Sequence, residues 1–81
     1  MMTRSEIEQQ VIAFLRDTLQ LDEAQLVSSA NLKADLGLTS LDANVFLFFV
    51  NSTFALNLVF GDIASFATLE DIYTYIESHQ S

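Results

Sequence analysis

With 81 residues, 51% of them hydrophobic and no cysteine, the chain has room for one domain, held by a dense apolar core. Disulfides and thiolate metal sites are excluded. Eleven acidic side chains against three basic ones leave a net charge of −8, which excludes a phosphate-neutralising nucleic-acid face and attraction to anionic membranes, and favours basic patches on protein partners.

No run approaches the roughly 18 apolar residues of a membrane span. Polar and acidic residues follow directly on the opening methionines, unlike a secretory signal, so a soluble cytoplasmic protein is the expectation. The first helix is expected over residues 4–19. Thr3 and Ser5 each have a glutamate three residues on, Glu6 and Glu8, the spacing of a capping box. Ile7, Val11, Phe14, Leu15 and Leu19 recur at helical intervals and make one apolar stripe, so this helix builds core. Residues 21–33 read as a long connection with a short helical turn around residues 22–26. Leu26, Val27 and Leu32 are expected to pin it to the core, because long loops in small domains need anchoring.

The stretch Asp35-Leu36-Gly37-Leu38-Thr39-Ser40-Leu41-Asp42 organises the centre of the chain. Gly37 is one of two glycines and marks a tight turn. Thr39 and Ser40 are helix-starting residue types, and Asp42 puts an anion in the first turn, where the helix dipole favours it. Leu36, Leu38 and Leu41 are expected to clamp the turn and leave the Ser40 hydroxyl outward at the positive end of the helix.

A second helix is expected from residue 40 or 41 to residue 56. Residues 45–50 have high strand propensity, and a strand is the alternative, but length without Gly or Pro favours helix. On that helix Phe46, Leu47, Val50 and Phe54 share one face. Leu41, Val45, Phe48 and Ser52 share another, with Phe49 beside it, an apolar circumference wider than one core stripe requires. Gly61 is expected to end or bend the chain, and residues 62–65 to form one helical turn with Ile63 and Phe66 inward. Thr68 then caps a last helix, whose Leu69, Ile72, Tyr73 and Ile76 pack inward. Residues 77–81 are expected to fray, with His79 a solvated tail residue. The fold class is therefore all-α, one domain over residues 1–81, with three main helices and one short one.

The central stretch resembles the attachment site of acyl carrier proteins. In that family an Asp-Leu-Gly-x-Asp-Ser-Leu segment presents the serine that receives 4′-phosphopantetheine from coenzyme A. Here the match is complete except at Thr39, where Asp is usual. The resemblance extends over the whole chain in length, acidity, helix order and motif position, and it implies a small carrier-protein bundle. By the same resemblance Ser40 is the attachment residue, 4′-phosphopantetheine the cofactor, and a phosphopantetheinyl transferase with acyl-loading and condensing enzymes the partners. The function implied is a stand-alone acyl carrier protein of fatty-acid-like or polyketide biosynthesis, a substrate of enzymes rather than an enzyme. A peptidyl or aminoacyl carrier is the close alternative, and a helical adaptor without a prosthetic group the distant one.

The residues agree that Ser40 is no hydrolase nucleophile, since the only histidine is His79, far along the chain. No metal-ligand spacing occurs. Carriers of fatty acids line the second helix with glutamates, whereas this one has only Asp42. Leu41, Val45, Phe48 and Phe49 are therefore expected to form an apolar docking stripe, with Asp42 at the helix start a further partner-docking residue. Self-association through it is the alternative to a monomer. Phe46, Val50, Phe54, Ile63 and Phe66 are expected to line an acyl cleft too crowded for a long chain.

Overall fold

The computed structural model describes residues 1–80. Four α-helices follow one another: α1 (Arg4–Asp17), α2 (Ser40–Phe54), α3 (Phe60–Ser65) and α4 (Leu69–His79), with a single 3₁₀ turn at Glu23–Gln25 between α1 and α2. Each long helix starts where a side chain can satisfy a free first-turn N–H. Thr3 opens α1 with Glu6 in a reciprocal capping box, Thr39 opens α2 with Asp42, and Thr68 opens α4 with Asp71. Residues 45–50 are helical, so the capping signal and length prevail over local strand propensity.

Ile7, Val11 and Leu15 of α1 meet Leu69, Ile72, Tyr73 and Ile76 of α4 in the core, and α2 packs against α3. An aromatic cluster joins α1 to α2. Phe14 stacks on Phe49 with ring centroids 4.2 Å apart, and Phe46 and Phe54 lie around them. On the outer seam Arg4 reaches Glu8, Glu70 and Glu77, tying α1 to α4. Its hydrogen bond to Glu70 is the largest of the influences that raise its pKa. Such exposed pairs contribute at most about 1 kcal/mol each, so the seam orients the helices while the core holds them. Burial pushes the Tyr73 hydroxyl up to about 12.

Several boundaries differ from the sequence expectation. Helix α1 ends at Asp17, two residues early, and α2 ends at Phe54, because Ala55 turns left-handed (φ 56°). The Asn51 side chain then bridges the following loop, donating to Leu58 O at 2.8 Å and accepting from Leu58 N at 2.9 Å. Gly61 neither ends nor bends the chain but lies inside α3, which starts at Phe60. Residues 77–79 are helical, and the Gln80 amide holds Met2 through two hydrogen bonds, so the expected fraying does not occur there. Ser81 lies outside the described residues. Leu26 and Leu32 are buried as anchors, but Val27 is exposed, since the turn after the 3₁₀ segment directs it away from the core.

Candidate functional site

The loop before α2 is built on Asn31. Its side-chain oxygen accepts the N–H groups of Lys33 and Ala34, and its own N–H donates to Asp35 Oδ2 at 2.7 Å. Its carbonyl accepts from Asp35 and Leu36 at 3.0 Å. The same segment is fastened to the start of α4: Leu32 N–H donates to Ala67 O at 2.9 Å and Glu70 N–H to Ser28 O at 2.9 Å. The Asp35 carboxylate thus serves the loop, and the loop is held by another helix rather than by its own turns alone.

Gly37 follows at φ +64°, the left-handed region that favours glycine. The turn buries Leu36 and half-buries Leu38. Leu41 takes no part in this clamp, because one residue into α2 it faces solvent at 72% exposure.

Thr39, not Ser40, caps α2. Its hydroxyl accepts from Asp42 N–H at 3.1 Å, and the Asp42 carboxylate accepts from Thr39 N–H at 3.1 Å. Ser40 is the first helical residue, is exposed, and its hydroxyl makes no hydrogen bond to the described residues. The first-turn N–H groups of Ser40 and Leu41 precede the helix's own ladder. Their donors and the helix dipole suit an anion esterified to the Ser40 oxygen.

A cavity of about 190 Å³ opens beside this hydroxyl, lined by Leu32, Lys33, Leu38, Thr39, Ser40, Ala43, Phe60, Ile63, Ala64 and Phe66. Of the residues expected to line a cleft, Ile63 and Phe66 are there. Phe46, Val50 and Phe54 are not: they occupy the buried core, where Phe46 and Phe54 face the Phe14–Phe49 stack. Periodicity identified their shared face correctly but not the helix opposite it. Phe60, Leu38 and Lys33 were missed for the cavity. Phe60 lies outside the helices expected from sequence, and the other two come from the segment before α2, which only the tertiary fold brings to α3.

The expected docking stripe divides in two. Leu41, Val45 and Phe48 stand in solvent at 72%, 38% and 76% exposure, with Ser52 below them. Phe49 does not belong with them, because it is half-buried against Phe14. Asp42 is half-buried and engaged in the cap.

No histidine borders the cavity. His79 lies at the far end of α4, stacked on Tyr75 at 3.9 Å with Nδ1 2.9 Å from Tyr75 O. Ser40 therefore has no histidine partner in this cavity. Among the described residues there is no metal-ligating cluster and no helix long and apolar enough to cross a membrane.

An outward hydroxyl without a capping duty, at a helix N-terminus beside an apolar cavity, fits a phosphate-linked arm. The family model for the phosphopantetheine attachment site matches residues 9–76. That span contains the Gly37 turn, the whole of α2 and α3, and most of α1 and α4. Carriers of this family are not catalysts themselves; they bear 4′-phosphopantetheine covalently and are handled by modifying and acyl-transferring enzymes. This chain, an all-α bundle, belongs to the phosphopantetheine attachment-site family and is a phosphopantetheine carrier protein.

Proposed function

We propose that Ser40 is the residue esterified with 4′-phosphopantetheine and that the chain carries acyl intermediates in fatty-acid-like or polyketide assembly. The observation that supports the assignment is the division of labour between Thr39, which caps, and Ser40, whose exposed oxygen is uncommitted. The prosthetic group supplies a thiol that holds acyl groups as thioesters. The protein supplies the attachment oxygen, first-turn donors for the phosphodiester, and a cavity beside it. Intact-mass measurement after incubation with coenzyme A and a phosphopantetheinyl transferase tests the site. The wild type gains one phosphopantetheine and Ser40→Ala gains none. A gain that survives in Ser40→Ala overturns the assignment.

The exposed face of α2 supports a docking role for Leu41, Val45 and Phe48. Apolar contact there replaces the acidic recognition usual for fatty-acid carriers. This pattern keeps a peptidyl or aminoacyl carrier as the second reading, and loading assays with aminoacyl and acyl donors separate the two.

Cavity size bears on cargo. An apolar cavity of ~150 Å³ holds a benzene molecule. At about 190 Å³, with the rings of Phe60 and Phe66 in its wall, this one suits a short acyl end and leaves a long one outside.

A further inference from the structure

The chain has three basic side chains. Two are committed to carboxylates: Arg4 to Glu8, Glu70 and Glu77, and Arg16 to Asp17 and Glu23. Lys33 makes no ion pair among the described residues, although eleven acids surround it in the sequence. It is exposed, and it borders the same cavity as Ser40. Its backbone is fixed: its N–H donates to Asn31 Oδ1 at 3.0 Å and its carbonyl accepts from Gly37 N–H at 3.1 Å. The loop thus holds one unpaired cation at the rim beside an esterifiable hydroxyl.

We propose that Lys33 is a positioning residue, the counter-ion of the phosphodiester on Ser40, holding the start of the arm over the cavity mouth. The inference rests on Ser40 being the attachment residue. Before modification the Lys33 side chain forms no ion pair with a carboxylate among the described residues. Esterification adds a fixed negative charge to the lining of the cavity that Lys33 also borders, at the helix end where first-turn donors already favour an anion. A lysine presents a point charge with rotatable donors, which suits an oxygen of a phosphodiester on a flexible linkage. Asp42 shares the helix start, but its carboxylate is turned to the Thr39 N–H, so Lys33 is the charge on this rim that attracts the phosphodiester.

The test compares apo and holo forms of wild type, Lys33→Gln and Lys33→Arg. Each is followed by thermal unfolding and by the phosphorus resonance of the holo form at low and high salt. In the apo forms the three proteins melt within a degree or two of each other, because Lys33 has no partner to lose. On modification, wild type and Lys33→Arg show the same change in melting temperature, which Lys33→Gln lacks. The phosphorus resonance of wild type moves with salt while that of Lys33→Gln does not. Equal holo-minus-apo changes in all three proteins, with equal salt responses, overturn the proposal and leave the Ser40 assignment standing. A phosphopantetheine found on another residue, or none gained, overturns both.

Discussion

Thr39 and Ser40 divide two tasks that one hydroxyl cannot perform together. Thr39 gives its oxygen to the α2 N-terminus, and Ser40 keeps its own free. Aspartate, usual in the family at the position of Thr39, is an equally good capping residue, so the substitution preserves the cap. Removing it is costly: Thr39→Ala lowers stability by about 1 kcal/mol in urea unfolding. An unchanged midpoint would show that the cap is held another way. Gly37 is the second fixed point. Nothing crowds its missing Cβ, but φ is +64°, so Gly37→Ala costs about 1 kcal/mol through backbone strain alone. The turn and a helix start at residues 39–40 were legible in the sequence because both are local, but which of the two hydroxyls caps was not. Lys33 was not legible as a neighbour of Ser40, since its place depends on Asn31 and on the start of α4.

At the scale of the helix, α2 presents different chemistry on its two sides. Phe46, Val50 and Phe54 are core, whereas Leu41, Val45 and Phe48 meet solvent. Phe48→Glu or Val45→Glu should leave the melting transition within about 0.5 kcal/mol of wild type, as surface changes do, while abolishing turnover by the docking enzyme. Undiminished turnover would remove docking from this face. The helix end offers a second check. Ala55 holds a left-handed conformation that glycine adopts without strain, so Ala55→Gly raises stability by up to about 1 kcal/mol. On α1 the Thr3 backbone N–H holds the Glu6 carboxyl below its ordinary pKa. The charged form is therefore the one that stabilises. Its contribution is full above the unfolded glutamate value of 4.5 and is lost as pH falls through the lower folded value. The stability gap between wild type and Glu6→Gln closes over that acid window in pH-dependent urea unfolding. A gap independent of pH would contradict it. Periodicity told which residues share a face of a helix; it did not tell which helix that face meets, which is why Phe49 and three supposed cleft residues were misplaced.

For the whole molecule, an acidic domain with a small cavity and one apolar face suits a carrier that meets enzymes briefly. Tethering raises the local concentration of cargo at each docked enzyme, so each docking can stay weak. The cavity sets the cargo expectation: short and long acyl groups on the holo protein should raise the melting temperature by similar amounts, since the extra length finds no room inside. A rise that grows steadily with chain length would show the cavity opening to admit it. The most direct measurement is fragment mass spectrometry of the wild-type chain after loading from coenzyme A. The phosphopantetheine should map to Ser40 within the Gly37–Asp42 turn and helix start. A chain that stays unmodified with a competent transferase, or carries the group on Thr39 or elsewhere, would contradict the account.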